Sequence, residues 1–253
     1  IKPEVLKFAK ETKQELWVHI KTEVDLWNYG LDSKFEFVDA VSSSFPLYDK
    51  GLLGAIRLAN IHKTLVLRKF EKYVASYVIG GSLVRGQAGK DSDVDVFVII
   101  DDTDVKRMPR LQLLEKLRGM IHDYIREATA LSGTKNVLNV QVYLLTDFWD
   151  NVKDANPVMF TFIRDGVPMY DRGTFLPWKL LLQMGKVKPS PESVDKFMKY
   201  GEQNEALVTR RMLDAMQDIY WGVVTPTQAL MMLIGHAPPA PKNMVAEVKK
   251  VLV

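Results

Sequence analysis

Asp93 and Asp95 stand two residues apart at the head of an apolar run, shortly after Gly80-Gly81-Ser82, in the stretch VIGGSLVRGQAGKDSDVDVFVII from Val78 to Ile100. In a strand, residues i and i+2 share a face, so the two carboxylates project together. Carboxylates held that close repel unless a proton or a cation lies between them. A divalent cation, Mg²⁺ or Mn²⁺, satisfies both. Beside a glycine turn able to hold phosphate, it points to phosphoryl or nucleotidyl chemistry.

The flanking residues fit that chemistry. Gly80 and Gly81 let the backbone approach a bulky anion and adopt positive φ. Ser82 offers a hydroxyl and a backbone N–H at a helix start, where anions are favoured. Gly86 and Gly89 let the connecting loop fold back, and Arg85 and Lys90 add positive charge. Asp91-Ser92-Asp93 turns the chain into the next strand. The expected metal-binding and catalytic pair is therefore Asp93 and Asp95. The expected nucleotide-binding set is Gly80, Gly81, Ser82, Arg85, Lys90 and Ser92.

Positioning these groups requires a strand on each side of the turn. Tyr73 to Ile79 is expected as the first. Val94 to Ile100 is the second, apolar on both faces and so central in a sheet. Met108 to Leu131 reads as a long helix closed by Ser132-Gly133. Val137 to Leu145 alternates as a third strand, and Thr146 is expected to cap a short helix after it. Asn156-Pro157 opens a helix to about Arg164. Val167 to Tyr170 is an edge strand, because Pro168 cannot donate to a ladder. Phe175 to Met184 is helical. Upstream, Pro3 to Asn28 and Leu52 to Tyr73 carry helical spacing, and Phe35 to Val41 alternates weakly. Lys186 to Pro191 is the clearest linker. Beyond it the pattern predicts helices over Glu192–Tyr220 and Thr225–Ile234, the second capped by Thr225 with Pro226 in its first turn.

Composition narrows the field. The chain has 253 residues, 47% hydrophobic and 26% charged, with net charge +3, as for an ordinary globular protein. It has no cysteine, which excludes disulfides, thiolate zinc sites and thiol nucleophiles, and fits a cytoplasmic setting. No apolar run approaches the roughly 18 residues of a membrane span, and no signal peptide opens the sequence. The start on Ile1 and the end in AEVKKVLV suggest a chain cut at both termini.

The order of turn, Arg-Gly and Ser-Asp-x-Asp in GGSLVRGQAGKDSDVDVFV resembles the signature of the DNA polymerase beta-type nucleotidyltransferase superfamily. The likeness is tight over Val78 to Ile100 and looser from Tyr73 to about Trp149. It implies an α+β fold, a small mixed sheet flanked by helices. It also implies transfer of a nucleoside monophosphate from an NTP with loss of pyrophosphate. Gly81 and Ser82 would contact phosphates, and Asp93 and Asp95 would bind metal. The family carries a third carboxylate on a later strand. Here that strand is VLNVQVYLL, whose polar residues Asn139 and Gln141 share a face and cannot act as general bases. They are the candidates for the third metal or acceptor position. The alternatives are that Asp147 or another acid takes the role, or that turnover is weak or absent.

Glu192 to Ile234 resembles the four-helix, nucleotide-binding HEPN type of domain that often accompanies such transferases. It lacks the Arg and His spacing of the ribonuclease version. The expected organisation is a helical segment over 1–72 packing on the core, a nucleotidyltransferase domain over 73–185 and an all-helical C-terminal domain over 190–253. Three functions compete. The first is an Mg²⁺-dependent nucleotidyltransferase acting on a small molecule, an RNA end or a protein. The second is a nucleotide-binding module, such as the antitoxin-type partner of a HEPN toxin. The third is a scaffold with a vestigial site. A homodimer through the helical domain is a candidate assembly. The four histidines are expected as surface or helix-end residues. The acidic run Asp101-Asp102-Thr103-Asp104 is expected as a solvated strand end.

Overall fold

The computed structural model describes residues 2–13, 15–87, 89, 92–103 and 109–252, and the chain divides into two compact units, Ile1–Ser190 and Pro191–Val253. The first unit is built on a four-stranded sheet of β1 (Val74–Gly80), β2 (Val94–Ile100), β3 (Leu138–Leu144) and β4 (Val167–Asp171), in spatial order β3-β2-β1-β4. β1 runs antiparallel to β2 and β4, while β2 and β3 are parallel, so the sheet is mixed. β4 carries Pro168 at the sheet edge, where a missing N–H costs least.

Alternation along β2 separates two cores. Val94, Val96, Val98 and Ile100 face one, and Phe97 and Ile99 face the other. The first core is covered by α2 (Glu23–Leu31), α3 (Phe35–Ser43), α4 (Leu52–Phe70) and α6 (Arg110–Ser132). The second is covered by α7 (Leu145–Lys153), α8 (Pro157–Asp165) and α9 (Phe175–Gln183). A central strand buried on both faces must be apolar throughout, and β2 is, except at Asp95. Each fully buried large side chain, such as Ile56 or Ile121, contributes about 1.5–3 kcal/mol.

The helix starts have identifiable causes. Asp49 accepts from the N–H groups of Gly51, Leu53 and Gly54 and so caps α4. Asn156 accepts from Val158 and Met159 at the start of α8. At α7 the cap comes from across the fold. Asp102 accepts the Thr146 hydroxyl at 2.7 Å and the Thr146 N–H at 3.2 Å, so Thr146 is the capped residue and not the cap. Asp101 accepts from Thr103 in a local turn. Asp101 and Asp102 thus serve the end of β2, and Asp104 lies outside the described residues.

Several sequence expectations are corrected. The span Pro3–Asn28 is not one helix. α1 (Lys2–Glu11) ends before Lys13, which has φ +55°, and α2 begins afresh at a capping box between Thr22 and Asp25. Phe35–Val41 is helical and not extended, because Val38 and Ser42 are buried one helical turn apart. Met108 lies outside the described residues.

In the second unit α10 (Pro191–Leu233) runs unbroken through Pro226, where two helices were expected. Proline removes one backbone hydrogen bond there, and Thr227 donates its hydroxyl to the Val223 carbonyl one turn back. A short 3₁₀ turn (Pro241–Asn243) and α11 (Met244–Leu252) complete the unit. The resemblance implied four helices, and the described residues here form two α-helices and this turn. No described helix is long and apolar enough to cross a membrane.

Candidate active site

The turn and the acid strand meet because β1 and β2 are antiparallel, which sets Gly80 opposite Asp95. Gly81 follows with φ +69° and opens the four-residue helix α5 (Gly81–Val84). A Cβ on Gly81 would stand 2.1 Å from Oδ2 of Asp95. The glycine thus leaves the space that the Asp95 carboxylate fills. Ser82 is half-buried, and its carbonyl accepts from the Gln87 N–H at 3.0 Å, closing the turn. Ser92 accepts from the Gly89 N–H at 2.7 Å through its hydroxyl, which shapes the loop ahead of β2. Asp93 is exposed immediately before β2. Lys90 lies outside the described residues.

The parallel register of β2 and β3 sets Asn139 abreast of Asp95 and Gln141 abreast of Phe97. Asn139 donates from Nδ2 to Oδ1 of Asp95 at 3.0 Å. Gln141 accepts the Tyr143 hydroxyl on Oε1 at 3.1 Å, which leaves its amide N–H groups unspent by that contact. Asp95, Phe97, Asn139 and Gln141 therefore share one sheet face.

Helix α8 supplies the opposite wall. Arg164 holds Asp165 through Nε at 2.7 Å and Nη2 at 2.9 Å, and Arg85 approaches the same carboxylate at 3.7 Å. The Arg164 hydrogen bonds hold the Asp165 carboxyl below the usual carboxylate range. Lys179 of α9 turns its ammonium onto the carbonyls of Ile163, Arg164 and Gly166, fastening the end of α8. Burial lowers the Lys179 pKa.

A cleft of about 430 Å³ lies between these walls. Of the residues expected from sequence, Gly80, Gly81, Arg85, Asp95 and Gln141 line it. Asn139 joins them through Asp95. Sequence reasoning missed the α8 wall, with Thr161, Phe162 and Asp165, and it missed Phe97. Phe97 was available to it, since it follows Asp95 by two positions on the same strand face. Asp147, the alternative third acid, pairs with Arg110 at the start of α7 and does not line the cleft. The histidine expectation fails for His62, which is fully buried with its ring nitrogens 2.9 Å from the Tyr77 hydroxyl and 3.0 Å from the Ile121 carbonyl.

Of the two expected carboxylates Asp95 lines the cleft, while Asp93 is exposed just before β2 and does not; carboxylate oxygen is the donor that a hard divalent cation of the Mg²⁺ kind takes. Such ions take one or two carboxylates and complete their shell with water and substrate phosphate oxygens. Asp93 and Asp95 would be those carboxylates, and the glycine at position 81 keeps the Asp95 oxygen uncovered by a side chain. Among the described residues no group of three or more His, Cys, Asp or Glu could hold a metal alone.

Residues 60–153 match the family model of the nucleotidyltransferase domain. Two solved structures match part of the chain. One is a candidate nucleotidyltransferase from Sulfolobus solfataricus, 16% identical over 52% of this chain and 97% of that one, with a TM-score of 0.30. The other is a toxin–antitoxin with AMP-PNP, 14% identical over 60% of this chain and 96% of that one, with a TM-score of 0.26. At such scores neither likeness carries an argument. No curated protein matches the chain.

Proposed function

We propose, from the premise that residues 60–153 form a domain of the DNA polymerase beta-type nucleotidyltransferase superfamily, that this chain transfers a nucleoside monophosphate from an NTP to an acceptor and releases pyrophosphate. The observation that carries the reading is the fit of the Asp95 carboxylate into the space left by Gly81, on the register that sets Gly80 opposite it. Phosphate turn and carboxylate then converge on one cleft. Gly80 and Gly81 present backbone to the triphosphate, and Arg85 leaves Asp165 to meet its charge. Asp93 and Asp95 hold Mg²⁺, which when bound neutralises phosphate charge and favours departure of pyrophosphate. Ser82 and Ser92 contact the phosphates of the nucleotide.

The test is incubation with α-labelled NTP, Mg²⁺ and acceptors. Transfer abolished by Asp95→Asn supports the reading, and transfer indifferent to that change refutes it.

A second reading has its own observation. Asn139 occupies the place abreast of Asp95 and donates to it. In that reading the chain is a nucleotide-binding module without turnover. Calorimetry showing NTP binding with no pyrophosphate release over long incubation selects it.

A further inference from the structure

Transfer to a hydroxyl needs somewhere for the hydroxyl proton to go, and among the described residues the cleft is poor in such places. Asp93 and Asp95 are committed to the cation in the reading proposed above. Asp165, the other acid lining the cleft, is locked by Arg164 and faced by Arg85. The histidines near the sheet lie elsewhere. His62 is buried between Tyr77 and Ile121, and His122 meets the Val140 carbonyl at 3.0 Å. Val140 belongs to the opposite core, across the sheet from the cleft. Abreast of Asp95 and Phe97 stand two amides, which neither take up a proton nor carry charge.

The amides are also oriented. Tyr143 donates to the carbonyl oxygen of Gln141, which leaves both N–H groups of this cleft-lining amide unspent by that contact. Asn139 spends one N–H on Asp95. Together they make a wall that offers hydrogen-bond donors, where a base-equipped site would present an acceptor. Donors of this kind favour an anion and give no help in deprotonating an alcohol.

We infer that the acceptor is an oxyanion, a phosphate or carboxylate group already charged before reaction, seated on Gln141 and Asn139. This rests on the nucleotidyltransferase reading above. An acceptor oxygen attacks the α-phosphorus and forms a new P–O bond. The bond from the α-phosphorus to its bridging oxygen breaks, and the electron pair leaves with pyrophosphate. No proton has to leave the acceptor, because phosphate monoesters are largely dianionic at neutral pH.

The experiment uses the full chain with ATP and Mg²⁺ and small probes that demand no particular scaffold. They are labelled inorganic phosphate, acetate and glycerol, with ATP binding followed separately by calorimetry. Transfer to phosphate yields ADP carrying the label in its β position, and transfer to acetate yields an acyl adenylate trapped by hydroxylamine. The expected result is product from phosphate or acetate, the arm that reacts naming the source, with none from glycerol. Gln141→Glu should lower transfer to phosphate or acetate at least tenfold. ATP binding with product from glycerol alone, or from no probe, overturns the oxyanion acceptor and leaves the nucleotide site standing. No ATP binding removes both.

Discussion

Replacing Gly81 by alanine tests the central geometry, because two effects at that position can be separated. The backbone there has φ +69°, and an added Cβ would lie 2.1 Å from Oδ2 and 3.0 Å from Cγ of Asp95. The left-handed conformation costs an L-residue roughly 1–2 kcal/mol. For a domain of this size that is a fall of about 2–8 °C in Tm. The contact adds a second effect. Real Cβ atoms essentially never approach within 3.0 Å of another atom, so the carboxylate must withdraw by about 1 Å. Losing one charge-assisted ligand contact costs about 1.5–3 kcal/mol, so NTP affinity in Mg²⁺ should drop about 10–100-fold. Gly86→Ala is the control. Its φ is +68°, but the nearest atom to its Cβ is Glu23 Oε2 at 3.6 Å. It should reproduce the thermal loss and keep the affinity. Calorimetry with a non-hydrolysable NTP, alongside thermal melts, reads both quantities. Gly81→Ala binding within twofold of the wild type, or an equal loss in Gly86→Ala, would refute the argument that the glycine makes room for Asp95.

Three further outcomes are expected. His62 is held neutral by burial, its pKa lowered from 6.5 to about 4. Because the unfolded chain binds the extra proton first, stability should fall as pH drops from about 6.5 to 4, by about 3 kcal/mol at most, and level off below. His62→Gln should flatten that part of a pH–Tm curve. Asp165 shows the carboxylate pattern. Its folded pKa is depressed by Arg164, so its contribution is present above the ordinary value of 3.8 and is lost as pH falls through the lower folded value. Asp165→Asn should remove that acid limb and, by freeing Arg85, steepen the salt dependence of phosphate binding, read by titration at two ionic strengths. Lys179→Met strips the ammonium from three carbonyls at the end of α8. Unsatisfied buried acceptors cost about 1–3 kcal/mol each, so denaturant melts should show a loss of at least about 2 kcal/mol.

The sequence makes some of this legible and hides the rest for physical reasons. β2 is read correctly because a strand buried on both faces has no polar interruption until Asp95, and β4 because Pro168 fits only an edge. The glycine turn and the two aspartates are local in sequence, so spacing alone marks them as candidates. The α8 wall is not local. Thr161, Phe162 and Asp165 reach the cleft because Phe162 stacks on Phe97 in the second core, at a centroid distance of 3.4 Å, and no short-range pattern encodes that contact. The errors at Phe35–Val41 and at Pro226 share a cause. A weak local signal, alternation in one case and a proline in the other, was outweighed by burial or by the continuity of the surrounding helix.

The amide beside Asp95 has a consequence for the charge balance of the native state. A third acid abreast of that residue would crowd negative charge into the folded domain, and the native state would lean on an ion to relieve it. The Asn139 contact supplies the relief internally. The native state thereby carries one charge repulsion fewer for an ion to relieve.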